Sequence, residues 1–151
     1  FFTAPASTRF HLNVEGGLVR HSVNVATVLL QMRDTLAPEL DQESCVICGL
    51  FHDLGKVGMP GNPYYLPSKA KRGAPYVIND DLVHMDVPTR SLFLVARHLR
   101  LTDEEAQAIR YHDGQYVAEN RSVAHRECKL TRLLQYADNW AAATMESVKP
   151  C

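Results

Sequence analysis

The chain has 151 residues, of which 46% are hydrophobic and 22% charged, and its formal net charge is −1. That length fits one domain with a core of its own, and the composition is that of a globular protein, not a disordered one. No apolar run nears the roughly 18 residues needed to span a bilayer, and no signal peptide is visible. The near-neutral charge excludes a global pull onto nucleic acid or a membrane surface, so any grip on phosphate is local.

Residues 1–15 read as an irregular arm ending in Gly16-Gly17. From Leu18 the apolar positions recur at helical spacing, which predicts a helix over 18–36, stopped by Ala37-Pro38. Asp41 is an N-cap candidate for a second helix running through His52-Asp53, with Gly55 and Gly58 ending it. Residues 57–87 carry four prolines (60, 63, 67, 75) and three glycines (58, 61, 73), which predicts a long irregular insertion. Within it, Tyr64-Tyr65-Leu66 and Tyr76-Val77-Ile78 are candidate strands of a hairpin. Helix returns over 88–99 and over 102–112, where Thr102 and Glu105 have capping-box spacing. A last helix is expected over 123–145, with Leu130, Leu133, Leu134, Ala137 and Ala141 on one face. The expected fold is all-α: a bundle of five or six helices in one domain over 1–151, with one long irregular loop at about 57–87.

Four cysteines are present: Cys45, Cys48, Cys128 and Cys151. Cys45-x-x-Cys48 could be half of a zinc site or a redox pair, but no second pair completes it. The apolar run around it favours packing in a helix, and free core thiols fit a reducing cytoplasm.

His52-Asp53 ends an apolar helix, where neither residue serves packing. A buried carboxylate costs several kcal/mol unless it is paired or holds a metal. Taken alone, the pair could equally pin a helix end. His21, however, interrupts the apolar stripe of the first helix, and Asp138 lies on the inner face of the last. Three helices then each aim a metal-type side chain inward, and imidazole with carboxylate suits Fe, Mn, Ni, Co or Zn.

Arg20-His21-Ser22-Val23-Asn24-Val25-Ala26, then Gly49-Leu50-Phe51-His52-Asp53-Leu54-Gly55-Lys56-Val57-Gly58, then Tyr136-Ala137-Asp138 resembles the HD superfamily of metal-dependent phosphohydrolases. The order His … His-Asp … Asp is that family's signature. The flank Ala4-Pro5-Ala6-Ser7 with His11 and Gly16-Gly17-Leu18 is similar to small bacterial HD domains and to the HD domain of certain 3′–5′ exoribonucleases. Residues 101–114 resemble small HD proteins, some of them phage-borne.

The resemblance implies an HD-domain helical bundle with one divalent metal held by His21, His52, Asp53 and Asp138. The ion's identity stays open among Fe, Mn, Ni, Co, Zn and Mg. His112 matches the later of two further histidines that many relatives use, for a second metal or for substrate phosphate. The earlier one falls on Val87, which has no lone pair, with His84 three residues before it. One tightly held ion is therefore expected, with His84 and His112 lining the phosphate site; a second ion is the alternative. Lys56 stands where relatives contact a phosphate or bridging water. Lys69, Lys71, Arg72 and Arg90, interleaved with Tyr64, Tyr65 and Tyr76, read either as phosphate contacts with base-stacking rings or as a solvated charge cluster. His98 and His125 read as core or surface histidines, and His11 is open.

The implied activity is hydrolysis of a phosphate ester of a nucleotide by a metal-activated water, with Asp53 or Asp138 taking its proton and Lys56, His112 and Arg90 stabilising phosphoryl charge. Two rivals are a 3′–5′ exonuclease-type phosphodiesterase on single-stranded nucleic acid and a non-catalytic nucleotide-binding sensor.

Overall fold

A computed structural model describes residues 1–69 and 72–146. It is mostly helical: α1 Gly17–Leu36, α2 Gln42–Phe51, α3 Val87–Ala96, α4 Asp103–Tyr111 and α5 Lys129–Trp140, with β1 Tyr65–Pro67 and β2 Tyr76–Ile78 as one small antiparallel hairpin. α1 packs on α2 and α5, α4 on α3 and α5, and α3 on the 3₁₀ turn Leu54–Val57 that follows α2. No helix is long and apolar enough to cross a membrane among the described residues.

The local signals act as the sequence implies. The Asp41 carboxylate accepts from Ser44 N–H at 2.8 Å and starts α2. Thr102 and Glu105 close a reciprocal capping box on α4. The shared core gathers Val25 and Leu29 from α1, Cys45 and Cys48 from α2, Val95 from α3, Ile109 from α4 and Leu134 from α5. Cys45 and Cys48 are buried free thiols, and burial raises both above the usual thiol range. Both pack in the shared core.

Gly49 is required by close approach. A Cβ there would meet the Ala26 Cα at 2.6 Å, so α1 and α2 touch backbone to backbone. Gly55 plays the same part beside α3, where a Cβ would lie 2.3 Å from the Val87 carbonyl. The turn is clamped there from both sides. Gly55 N–H donates to Ser91 Oγ at 2.7 Å, and the Gly55 carbonyl accepts from Arg90 Nη1 at 3.2 Å.

Arg90 therefore departs from its expected place among the phosphate contacts. It is 2% exposed, its second guanidinium nitrogen donates to the Met85 carbonyl at 2.9 Å, and its plane lies over the Tyr64 ring. The fork bridges the turn and the loop before α3. Sequence marks the cation but not that two backbone carbonyls claim it.

The last helix also differs from the expectation over 123–145. Residues Ala118–Val123 form a 3₁₀ stretch and His125 adopts φ 65°, which breaks any continuous helix. α5 starts at Lys129, after Cys128 N–H has donated to Gln107 Oε1 at 2.7 Å. Beyond Trp140 the chain widens into a π-helical turn, Ala141–Met145. The candidate strands do pair, in register Tyr65–Ile78, Leu66–Val77 and Pro67–Tyr76. Asn79 anchors the hairpin's base, donating to Asn62 Oδ1 and the Pro63 carbonyl.

Two outcomes follow. Gly49→Ala should lower unfolding free energy by about 2 kcal/mol through overpacking, measured by urea denaturation; an unchanged midpoint would contradict the close contact. Arg90→Ala should lower it by about 2 kcal/mol, because the Met85 carbonyl loses its donor and the Gly55 carbonyl keeps only the Gly58 N–H. A stable Arg90→Ala protein impaired only in substrate affinity would restore the phosphate role.

Candidate metal centre

Each of the expected ligand residues sits where its helix forces it inward. Leu18, His21, Ser22, Val25 and Leu29 form the buried stripe of α1, so His21 faces the core at the helical period. His52 is the C-cap of α2 and Asp53 the next residue, leading into the clamped 3₁₀ turn. His112 is the C-cap of α4. Asp138 lies on α5, beside the buried Ala137.

These side chains converge. His21 Nε2 lies 3.1 Å from Asp138 Oδ1 and 3.6 Å from Asp53 Oδ2. His52 Nε2 lies 3.7 Å from Asp53 Oδ2 and 3.9 Å from Asp138 Oδ1. His112 Nε2 lies 3.5 Å from Asp53 Oδ1. Ligand-type atoms of His21, His52 and Asp53 fall within 4.8 Å of one another, as do those of His52, His112 and Asp138.

The other ring nitrogens fix how the imidazoles face. His52 Nδ1 lies 3.0 Å from the Gly49 carbonyl and His112 Nδ1 2.9 Å from the Ile109 carbonyl. A carbonyl only accepts, so each Nδ1 carries the proton. In both cases the acceptor lies three residues back, in the last turn of the helix, where carbonyls lack an intrahelical partner. In neutral His52 the Nε2 lone pair is then left facing the carboxylates.

That lone pair tests whether a metal fits. His52 is fully buried, and its Nε2 has no hydrogen-bond partner among the described residues. A buried unsatisfied nitrogen is costly and rare in a settled core. Beside two carboxylates and a second imidazole it has the chemistry of a ligand set, with the ring N–H bonds behind it that metal-binding histidines require. The residues fit a divalent ion.

Protonation follows from the surroundings. Burial pushes His52 down to about 4, against the pull of Asp53, so its ring is neutral. For His21 and His112 burial also pushes down. Hydrogen bonds donated by His21 to Asp138 and Glu146, and by His112 to Asp53, outweigh it and hold both at about 9. Burial opposes the Asp53 charge, but Lys56, His52 and His112 keep it ionised far below the usual carboxylate range. Asp138 is held at about 2, with His21 outweighing its own burial. Lys56 Nζ donates to Asp53 Oδ2 at 2.5 Å, and Asp53 holds the ammonium above its usual range despite burial.

His21, Asp53, Lys56, His112 and Asp138 line a cleft of about 870 Å³, and His52 lies buried behind them. His84, Val87, Pro88, Arg110, Tyr116 and Tyr136 also line it. His84 is exposed and borders the cleft. Arg90 is not among the lining residues, nor are Lys69 and Arg72, which are exposed on the hairpin loop. Lys71 lies outside the described residues. His98 and His125 are exposed and remote from the cleft lining.

Sequence reasoning missed two members of this region, Arg110 and Glu146, and left a third, His11, open. Arg110 lines the cleft, paired with the Asp86 carboxylate at 3.4 Å. His11, from the N-terminal arm, stacks 5.0 Å from the His21 ring. Glu146 receives His21 Nδ1 at 3.0 and 3.2 Å through its two oxygens. No motif assigns a role to any of these; their placement depends on how arm, α4 and the π turn come together.

A family model described as "HD domain" matches residues 18–143. No curated protein and no solved structure matches the chain. The matched span opens at Leu18, the first residue of the buried α1 stripe, and closes within the π turn, so it embraces all four helices that converge on the cluster. The chain belongs to the HD domain family, and so to a superfamily of metal-dependent phosphohydrolases.

Proposed function

We propose that this chain hydrolyses the phosphate ester of a nucleotide, with one divalent ion held by His21, His52, Asp53 and Asp138. The unpartnered His52 Nε2, fully buried and within 4 Å of the Asp53 and Asp138 carboxylates, carries this reading. When bound, such an ion supplies Lewis acidity and lowers the pKa of water towards about 7.

The chain's own residues do the rest. Asp53, 4% exposed and gripped by Lys56, holds fixed negative charge at the floor. Asp138 is the more accessible carboxylate, its side chain 23% exposed. It has the better access to take a proton from the attacking water, while Asp53 is braced by Lys56 and His112. Lys56 and His112 stand on either side of Asp53 and offer N–H groups to phosphoryl oxygens. The His112 ring is oriented by its Nδ1–H bond to the Ile109 carbonyl. In the net reaction water oxygen joins phosphorus, the ester P–O bond breaks, and the leaving oxygen takes a proton.

The substrate class follows from the walls. Tyr116 is 94% and Tyr136 60% exposed at the cleft, and Tyr64 lines it with its ring backed by Arg90. Exposed rings beside a phosphate-type floor suit a nucleobase. A strand-tracking nuclease needs a basic groove. Here Lys56 and Arg110 face Asp53, Asp86, Asp113 and Asp138, so carboxylates outnumber permanent cations in the lining. That balance favours a mononucleotide over an oligonucleotide. A sensor without catalysis would not need the complete ligand set.

Two experiments test this. Asp53→Asn should lose the bound ion and reduce hydrolysis to background, by elemental analysis and phosphate release across mononucleotides and single-stranded oligonucleotides. Stoichiometric metal retained by the variant would overturn the ligand assignment, and turnover of oligonucleotides alone would overturn the substrate class. His84→Ala should keep metal near one ion per chain and raise KM about tenfold, the value of one hydrogen bond to a charged phosphate at about 1.5 kcal/mol. Loss of an ion from the His84→Ala protein would assign His84 to a second metal.

A further inference from the structure

Of the three imidazoles around Asp53, two have their Nδ1–H bonds satisfied by their own helices. His52 and His112 are C-caps, and each donates to a last-turn carbonyl three residues back. His21 has no such option. It lies in the second turn of the 20-residue α1, where carbonyls are already engaged by amides four residues on. Its Nδ1 needs an acceptor from another part of the chain.

Glu146 is that acceptor. Both carboxylate oxygens lie within reach of His21 Nδ1, at 3.0 and 3.2 Å. Asn24, one turn beyond His21 on α1, donates to Glu146 Oε1 at 2.9 Å and holds the carboxylate in place. Glu146 is 7% exposed and, among the described residues, forms its ion pairs with His21 and His11 and with no lysine or arginine. A buried carboxylate with this partner set is poor packing and a poor salt bridge. It is a good anchor for an imidazole.

The backbone is shaped to deliver it. In a straight α-helix, Glu146 would fall about 80° out of phase with Asp138, eight residues earlier. The π turn Ala141–Met145 unwinds the helix between them, and Glu146 N–H closes on the Ala141 carbonyl five residues back at 3.1 Å. One element thus approaches both nitrogens of His21: Asp138 Oδ1 at Nε2, Glu146 at Nδ1. π turns recur where a helix must re-aim a functional side chain.

We propose that Glu146 is the positioning residue of His21, taking its Nδ1–H so that Nε2 presents its lone pair beside Asp53 and Asp138. This rests on His21 being a metal ligand, as proposed above. Outer carboxylates of this kind fix the tautomer and raise ligand basicity, and their loss weakens metal affinity by about 10–100-fold.

The test is titration of Zn²⁺ and of Mn²⁺ into the metal-stripped full chain, against a chelating indicator, for wild type, Glu146→Gln and Glu146→Ala. Glu146→Gln keeps an amide oxygen for Nδ1–H and should lose less affinity than Glu146→Ala, which should lose about 10–100-fold. Glu146→Ala binding with wild-type affinity, whatever its melting temperature, overturns the proposal and leaves Glu146 a structural residue. Wild type binding neither ion would overturn the ligand assignment itself, so the two failures are distinct. Imidazole ¹⁵N spectra of the metal-loaded wild type give a check that needs no variant. The expected His21 signal is that of an Nδ1–H tautomer; an Nε2–H tautomer overturns the proposal.

Discussion

Asp53 is a carboxylate 4% exposed to solvent, and everything near it is arranged to make that burial tolerable. An isolated charge there would cost several kcal/mol or more. Lys56 bonds one oxygen directly, His112 stands off the other, and His21 and His52 approach from two more helices. The fold closes around this charge. α2 delivers it, the Leu54–Val57 turn locks its backbone, and α3 locks the turn through Ser91 and Arg90. Removing an acid from such a knot leaves several cationic groups crowded together, which is why the cluster behaves as one unit.

The burial leaves one bond unmade. His52 donates backwards to Gly49 and shows its bare Nε2 to two carboxylates that lie too far away for a hydrogen bond and carry no proton to share. Protein groups alone do not settle that nitrogen. A divalent ion would satisfy it, offset the carboxylates and displace the proton from His21 in one event. Metal binding and the order of this core are on this account the same process. The tyrosines and mixed charges above the floor then set what reaches it.

Much of this was legible in the sequence, and the pattern of what was not is instructive. His21 and Asp138 could be singled out because periodicity puts each on an apolar helix face, and His52-Asp53 because it ends an apolar helix; the resemblance to the HD superfamily joined the four into one expected ligand set. The hairpin, the α2 cap and the capping box of α4 were legible from local signals. Arg90 was misplaced because its partners are backbone carbonyls, which no side-chain pattern reveals. The start of α5 was misjudged because His125 in the left-handed region and the Gln107 side chain, 21 residues before Cys128, break the helix. Glu146 was invisible because helical phase puts it off the face of Asp138, and only the π turn restores it. Local periodicity was readable; partners brought together by backbone irregularity were not.

The central claim is that the cluster is a metal site built around the free nitrogen of His52. Anomalous scattering from crystals of the full chain, collected on both sides of the absorption edge of the ion found in it, tests this most directly. The account predicts a peak about 2.0–2.2 Å from His52 Nε2 and from His21 Nε2, with oxygens of Asp53 and Asp138 completing the set. A protein whose His52 Nε2 is hydrogen-bonded to water, with the ion absent or held elsewhere, would contradict it.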